Sequence, residues 1–284
     1  MQINRLSDAL GAEIAGLDLS APVDDATFEQ VREAFHAHQV IVFRDQRLTP
    51  EQQIAASRRF GELEIHISTR FLLADHPEVL VLSNRKVNGE YVGVENAGDH
   101  WHSDLSYKTN PSLGSLLYAL EVPEIGGDTE WANQYMAYDS LPQATKDRVA
   151  GLRARHTFNR LRNPRVSIPE HHKGEAAQRY ATLSPDDAIH PVVRIHPATG
   201  RKALFVSPRF TIGIEDVPEA EGQALLDELF AHATRPEFIY RHRWRQGDLL
   251  FWDNRCLLHL ACRGIPPDQI RHMHRTTVAG DIPY

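Results

Sequence analysis

The chain has 284 residues, of which 42% are apolar and 24% are charged, the balance of a soluble globular protein that can bury a core. A formal net charge of −7 argues against a nucleic-acid-binding protein, and two cysteines cannot form a disulfide framework. The N-terminus lacks the apolar run of a signal peptide or membrane span, so we expect a cytoplasmic protein that binds neither nucleic acid nor membrane.

Helical periodicity and end signals predict four helices. Asp24 or Asp25 is placed to cap the first of them. Thr49 at the cap, Pro50 in the first turn and Gln52 three residues after the cap are typical of a second helix start. Three of the predicted helices cover residues 24–38, 142–149 and 219–233, and the other begins at residue 50.

Short runs rich in β-branched and aromatic residues predict strands between and after these helices. The predicted strands are 39–43, 78–83, 115–122, 203–207, 237–244 and 248–253. Most of them have no helix between them, which argues against a doubly wound parallel sheet. We therefore predict a mostly β fold, an antiparallel sandwich or barrel with flanking helices, in one domain that spans residues 1–284.

The stretch around residues 153–190 has little periodicity and is rich in Arg, Pro and His. A segment of this length without regular structure is typical either of a lid over a site or of disorder. Its arginines could attract an anionic substrate or could lie in a solvated loop. We predict a lid-like insertion here.

The segment "GDHWHSDLSY" (98–107) places His102 and Asp104 two residues apart. In an extended strand these side chains point to the same side, and one imidazole with one carboxylate suits Fe(II), which would need a third protein ligand. The spacing alone is a weak signal. His100 lies on the same face, so a pair of His100 and His102 is an alternative.

The C-terminal segments "GDLLFWDNRCLLHLA" and "IRHMHRTTVAGDIPY" supply the remaining candidates. His259 follows an apolar strand. Arg271, Met273 and Arg275 alternate along a further predicted strand and should share one face. Two guanidinium groups that face a barrel interior would be costly without anions, whereas arginines on a surface strand would simply be solvated.

These segments resemble the taurine dioxygenase (TauD/TfdA) family of Fe(II)- and 2-oxoglutarate-dependent dioxygenases. The resemblance covers nearly the whole chain, since it also includes "HQVIVFRDQ", "FGELEIH", "GGDTEWAN" and "HPVVRIHPATGRKALFV" in this order. It implies a double-stranded β-helix (jelly-roll) core with the iron in its mouth. It also implies that His102, Asp104 and His259 bind Fe(II), that 2-oxoglutarate and O2 take the other positions, and that His100 lies outside the triad.

The resemblance assigns further roles residue by residue. Arg271 and Thr129 match the residues that bind the distal carboxylate of 2-oxoglutarate. Arg275 matches the residue that binds the acidic group of the prime substrate, and His66 matches a histidine that shares this work, although an ordinary polar residue at a strand end would look the same. No catalytic residue is implied beyond the metal ligands.

The expected substrate pocket departs from the taurine enzymes at one position. Tyr107 and Phe158 match aromatic residues that form its apolar wall. Gly98 stands where the taurine enzymes have an asparagine, which removes a polar contact and is expected to open volume beside the iron. "EFIYRHRW" and "WDNRCLLH" resemble the aryloxyalkanoate-degrading branch of the same family.

We therefore expect an oxidoreductase that hydroxylates a small anionic substrate of the sulfonate, alkyl sulfate or aryloxyalkanoate type, coupled to the conversion of 2-oxoglutarate to succinate and CO2. The alternatives are a taurine dioxygenase proper, a zinc hydrolase with the same ligands, and a non-catalytic binder of iron or 2-oxoglutarate. The sequence leaves open whether the chain forms a homo-oligomer.

Overall fold

The computed structural model describes residues 1–67, 69–95, 98–166 and 186–284. Within these ranges lie five α-helices: α1 (Asp25–His38), α2 (Pro50–Arg58), α3 (Gln134–Asp139), α4 (Gln143–Val149) and α5 (Glu219–Ala233). Asp24 caps α1 by accepting a hydrogen bond from the backbone N–H of Thr27 at 2.9 Å. Thr49 and Gln52 form the reciprocal capping bonds of α2. Both predicted helix starts are therefore confirmed.

The same ranges contain eighteen short strands, and the predicted runs at 39–43, 78–83, 115–122 and 248–253 all fall on strands. The strands are β1 (Gln2–Arg5), β2 (Ala12–Ala15), β3 (Val40–Phe43), β4 (Leu72–Leu73), β5 (His76–Ser83), β6 (Lys86–Val87), β7 (Glu90–Tyr91), β8 (Gly114–Glu121), β9 (Thr129–Asn133), β10 (Arg153–His156), β11 (Ala188–Pro191), β12 (Val193–Ile195), β13 (Lys202–Leu204), β14 (Thr211–Ile214), β15 (Ile239–His242), β16 (Leu249–Asp253), β17 (Leu257–Ala261) and β18 (His272–Val278).

Eight of these strands form the largest sheet, in the order β1-β2-β3-β16-β8-β18-β5-β4. All neighbouring pairs are antiparallel except β2 and β3. Both faces of the central strands are buried, because alternate side chains enter two different clusters. On the outer face, the Phe35 ring of α1 stacks on Phe251 of β16 with centroids 4.0 Å apart. The prediction of a mostly β, largely antiparallel fold with flanking helices is confirmed.

The inner face of this sheet packs against a smaller sheet, in the order β15-β9-β17. Trp131 and Leu257 of the smaller sheet share one buried cluster with Leu117, Trp252 and Met273 of the larger sheet. The other face of β9 and β17 is covered by α3 and α5 through a second apolar cluster. The candidate residues on β17 and β18 are therefore held by strands that pack on both sides.

The stretch around residues 153–190 is partly regular. Residues 153–156 form β10, which pairs with both β11 and β14. The first residues of the stretch (β10) and the last ones (β11) therefore belong to one three-stranded sheet, which the sequence did not indicate. Residues 167–185 lie outside the described residues, and the lid stays a prediction. None of the helices in the described ranges is long and apolar enough to cross a membrane.

Candidate metal centre and substrate pocket

Three buried side chains converge at the inner edge of the smaller sheet. The backbones of His102 and His259 form a reciprocal bridge, with N···O distances of 3.1 and 2.8 Å, and this bridge brings the two rings to 4.0 Å. The Asp104 Oδ1 atom lies 3.6 Å from His102 Nε2 and 3.8 Å from His259 Nε2. The potential ligand atoms of the three residues all lie within 4.8 Å of one another.

The Nε2 atoms of both histidines point towards the Asp104 carboxylate. His102 Nδ1 lies 2.8 Å from the carbonyl oxygen of His100, and because a carbonyl can only accept, Nδ1 is the donor in this contact and Nε2 is the ring atom turned towards Asp104. Burial, together with the neighbouring His102, holds the pKa of His259 well below its usual range, so this imidazole is neutral. The His100 ring is not part of the group.

The carboxylate of the triad is ionised. Burial alone would raise the pKa of Asp104, but the Arg275 guanidinium holds it well below its usual range. Two imidazoles and one carboxylate that face one point form the 2-His-1-carboxylate set that suits Fe(II) and leaves positions for other ligands. The donors present therefore fit iron.

Arg271 and Thr129 lie together next to Trp244. The Trp244 indole N–H donates to Thr129 Oγ at 3.0 Å, and the Arg271 guanidinium carbon lies 5.8 Å from the centre of the Trp244 ring. Arg271 Nε donates to the Gly127 carbonyl at 3.1 Å, and burial lowers the pKa of Arg271 to about 10. Among the described residues, no carboxylate lies within 4.0 Å of this guanidinium. A buried cation without an anion is unfavourable, which is the condition that a carboxylate ligand would relieve.

Arg275 lies on the interior face of β18, as the alternation predicted. Its cross-strand partners, Leu117 and Leu80, face the same apolar cluster as Met273. Arg275 also has an anion within the chain, which the sequence did not indicate. Its Nη1 lies 3.2 Å from Asp104 Oδ1 and 3.4 Å from Oδ2. The Nε atom of Arg275 is buried and has no hydrogen-bond partner, so it remains available to a ligand.

His66 lies close enough to Arg275 and Asp104 for both of their charges to shift its pKa. Burial, reinforced by Arg275, lowers the pKa of His66 to about 4, so the ring is neutral at pH 7. It lines a small cleft with Leu105, Thr277 and the ion pair of Lys108 with Glu64, whose Nζ–Oε2 distance is 2.6 Å. The residues on the acidic-group side of the expected pocket thus lie close together.

A cluster of aromatic side chains adjoins this cleft through Leu105. The Tyr107 ring lies 4.8 Å from Phe158 and 5.1 Å from Phe210, and Phe210 also meets the His102 ring edge-on at 5.8 Å. Leu105 completes this cluster. Sequence reasoning found Tyr107 and Phe158 but missed Phe210, which stands in an irregular segment and reaches the site through tertiary contacts.

The surroundings of Gly98 are closely packed, although we expected this glycine to open volume beside the metal. Its φ is +80°, a conformation that favours glycine, and its carbonyl accepts a hydrogen bond from Ala261 at 2.9 Å. A Cβ atom at this position would lie 3.1 Å from His102 Cε1 and 3.4 Å from Ala261 Cβ. Gly98 therefore allows close packing of its loop on the ligand ring, and the predicted open volume is wrong at this point.

Comparison with known proteins extends the similarity over the whole chain. Residues 2–277 match the family described as "Taurine catabolism dioxygenase TauD, TfdA family". An alpha-ketoglutarate-dependent 2,4-dichlorophenoxyacetate dioxygenase of Cupriavidus pinatubonensis (strain JMP 134 / LMG 1197) is 37% identical over 289 residues, covering 98% of this chain and 97% of that enzyme.

Solved structures give the same result. A taurine dioxygenase from Burkholderia xenovorans is 36% identical with a TM-score of 0.83, covering 99% of this chain and 90% of the other. AAD-2, solved in complex with Mn(II) and N-oxalylglycine, is 32% identical with a TM-score of 0.81, covering 99% of both chains. The similarity is thus not confined to the metal-binding motif.

Proposed function

Because this chain belongs to the taurine catabolism dioxygenase TauD, TfdA family, we propose that it hydroxylates a small anionic substrate of the sulfonate, alkyl sulfate or aryloxyalkanoate type. The chain is an Fe(II)- and 2-oxoglutarate-dependent dioxygenase, and therefore an oxidoreductase that uses Fe(II), 2-oxoglutarate and O2. The proposed reaction converts 2-oxoglutarate to succinate and CO2 for each substrate hydroxylated. Family membership leaves the zinc hydrolase and the non-catalytic binder without support.

In this proposal His102, Asp104 and His259 hold the iron. When bound, the iron supplies the oxidative chemistry together with O2 and 2-oxoglutarate, and the chain supplies binding, orientation and exclusion of water. The buried positions of all three ligands support the last of these roles, since each side chain is at most 9% exposed. A dry site strengthens every polar contact that orients the reactants.

Arg271 and Thr129 would bind the distal carboxylate of 2-oxoglutarate. The planar guanidinium presents paired N–H donors to a carboxylate, an arrangement that a lysine cannot reproduce. Arg271 is suited to this role because it is buried without a carboxylate partner in the described chain, and Thr129 shares its Trp244 neighbour. A bound carboxylate would stabilise a charge that burial otherwise disfavours.

The observation that carries the substrate class is the unpaired Nε of Arg275, which is buried beside the triad. A donor in this position calls for an anionic head group. The neutral His66 ring can add a second hydrogen bond, and the wall of Tyr107, Phe158 and Phe210 faces the body of the substrate. A charged donor and a cluster of aromatic rings beside the same triad favour an organic acid over an uncharged compound.

We further propose that the two facing sheets form a jelly-roll core. The larger sheet and the β15-β9-β17 sheet enclose one apolar cluster, and the triad lies at its edge. This arrangement is the one expected for a double-stranded β-helix, whose antiparallel strands are shared between two packed sheets.

A substrate panel tests the proposal. The purified protein is supplied with Fe(II), 2-oxoglutarate and O2, and succinate is measured with small sulfonates, alkyl sulfates, aryloxyacids and taurine, each beside a neutral ester or amide. We expect at least one acid to stimulate succinate formation strongly and its neutral analogue to lose most of that stimulation. Equal turnover of an acid and its neutral analogue would remove Arg275 from the anion site, and efficient turnover of taurine would identify a taurine dioxygenase proper.

A further inference from the structure

A cluster of three polar residues, Ser112, Ser115 and Asn254, lies directly behind the candidate ligand Asp104. All three are buried, with exposures of 0%, 0% and 1%. The Asn254 side-chain amide donates to Ser112 Oγ at 2.9 Å and to Ser115 Oγ at 3.4 Å. Its Oδ1 accepts from the Trp252 indole N–H at 2.9 Å. We refer to these three residues as the Asn254 cluster.

The Asn254 cluster contacts Asp104 at three different atoms. The backbone N–H of Asp104 donates to Asn254 Oδ1 at 3.3 Å, and its backbone carbonyl accepts from Ser112 Oγ at 3.0 Å. Its Oδ2 accepts from Ser115 Oγ at 2.7 Å. Each member of the cluster thus holds one polar atom of Asp104, so the position and the rotation of the carboxylate are both fixed from one side.

The two carboxylate oxygens of Asp104 therefore differ in their surroundings. Oδ1 faces the two histidine Nε2 atoms, whereas Oδ2 takes the Ser115 hydroxyl. Arg275 does not distinguish them, because its Nη1 lies 3.2 Å from one and 3.4 Å from the other. Ser115 is the contact that marks Oδ2 as the oxygen turned away from the histidines.

The residue that follows Asp104 has an unfavourable backbone conformation. Leu105 has a φ of +57°, which a non-glycine residue adopts only when neighbouring contacts enforce it. The hydrogen bonds of the Asn254 cluster to both backbone atoms of Asp104 supply such contacts immediately before this turn.

We propose that Ser115 is a positioning residue that makes Asp104 a metal ligand through Oδ1 alone, and that Asn254 orients Ser115 for this task. By engaging Oδ2, the Ser115 hydroxyl prevents the carboxylate from binding the ion with both oxygens and so keeps one more position open for 2-oxoglutarate, O2 or water. Outer hydrogen-bond partners of this kind orient ligands and tune metal affinity. The inference rests on the proposed metal site.

The test uses Mn(II) bound to the full chain, without 2-oxoglutarate. The affinity is measured by titration, and the number of exchangeable waters on the bound ion is measured from line broadening of the Mn(II) electron paramagnetic resonance spectrum in ¹⁷O-enriched water. Ser115→Ala is expected to weaken Mn(II) binding roughly ten- to a hundredfold and to leave one water fewer on the ion.

Ser103→Ala is the matched control. Ser103 is as deeply buried, at 2% exposure, and its hydroxyl donates to the Asn254 backbone carbonyl at 2.6 Å, but it does not touch the carboxylate. This variant is expected to keep the wild-type number of waters. In case Ser115→Ala does not fold, the isosteric pair Ser115→Thr and Ser115→Val, which differ only in the hydroxyl, replaces it, and Thr is expected to restore the water lost with Val.

The failures of the two proposals are distinguishable. If the wild-type protein does not bind Mn(II), the metal site itself is wrong and this inference fails with it. If the wild-type protein binds Mn(II) but Ser115→Ala, or Val compared with Thr, leaves affinity and hydration unchanged, then Ser115 has no positioning role and the proposed function stands.

Discussion

The described part of the chain contains two buried clusters with similar side chains and different hydrogen bonding. His102, Asp104 and His259 form one, and His196, Asp253 and Cys256 form the other. In each of them the potential ligand atoms lie within 4.8 Å of one another. In the first cluster both histidines present a free Nε2, so it is open to a metal.

In the second cluster, no imidazole nitrogen is free. His196 Nε2 lies 3.0 Å from Asp253 Oδ2, and His196 Nδ1 accepts from the backbone N–H groups of Ala198 and Thr199 at 3.3 and 3.2 Å. Arg255 binds both oxygens of Asp253, at 2.8 and 2.7 Å. This cluster is closed.

The types of the residues and the distances between their ligand atoms are therefore not enough to define a metal site. Burial and the Asp253 charge raise the pKa of the Cys256 thiol, so that it stays protonated and is a poor ligand. In the open cluster the two Nε2 atoms face the carboxylate without a hydrogen bond to it, whereas in the closed cluster both ring nitrogens of His196 are hydrogen-bonded.

The largest effect is expected from removing any ligand of the open cluster. His102→Ala, Asp104→Ala and His259→Ala should each abolish 2-oxoglutarate turnover and Fe(II) binding while the fold is retained, because no other group can complete the 2-His-1-carboxylate set. Anaerobic Fe(II) titration and circular dichroism measure the two properties. Retained iron binding in all three variants would contradict the assignment.

Asp253→Ala in the closed cluster should have the opposite consequence. It leaves Arg255 buried without its carboxylate, which costs roughly 3–5 kcal/mol of stability. Chemical denaturation measures this loss. The folded fraction should bind one Mn(II) per chain, as the wild-type protein does, and a lost metal equivalent without a loss of stability would show that the closed cluster is a metal site.

Arg271→Ala should weaken 2-oxoglutarate binding by two to three orders of magnitude or more. Leaving a buried carboxylate without its charged partner costs roughly 3–5 kcal/mol, and about 1.4 kcal/mol corresponds to a tenfold change in affinity. Calorimetry with the Mn(II)-loaded protein measures the dissociation constant. Arg271→Lys, which keeps the charge but loses the two-point contact, should fall between, and equal affinity in all three proteins would exclude the role.

The smallest effect is expected from replacing His66, which should change how the stability of the protein depends on pH. Its pKa is about 4 in the folded protein and about 6.5 in the unfolded chain, so its contribution is complete above pH 6.5 and is lost as the pH falls from 6.5 towards 4. Thermal unfolding midpoints between pH 7 and pH 4.5 should therefore fall less steeply for His66→Gln than for the wild-type protein. Parallel curves would show that His66 is not buried in this way.

Local signals were sufficient to predict most of the regular elements. The Asp24 cap, the Thr49–Gln52 capping box and the apolar runs of β3, β5, β8 and β16 act within a few residues, and the structure follows them. The strand β10 escaped prediction because Arg153–His156 contains no β-branched residue and no Phe, Tyr or Trp, and its pairing partners lie far along the chain.

The sequence was sufficient to predict the site residues that belong to a motif. It was not sufficient for the contacts that depend on tertiary packing. His102, Asp104 and His259 came from spacing and resemblance. The contact of Arg275 with Asp104, the approach of Phe210 to His102 and the role of Gly98 in close packing all depend on distances between remote segments. Asn254 was visible in "WDNR", but its contacts with the backbone of Asp104, 150 residues away, were not.

Anomalous X-ray diffraction can show directly whether the metal binds at the open cluster or at the closed one. A crystal of the wild-type protein with Mn(II) and N-oxalylglycine should show one manganese peak, between His102 Nε2, Asp104 Oδ1 and His259 Nε2. No manganese peak should lie near His196, Asp253 and Cys256. A peak at the closed cluster, or none between the three ligands in manganese-loaded crystals, would contradict the account.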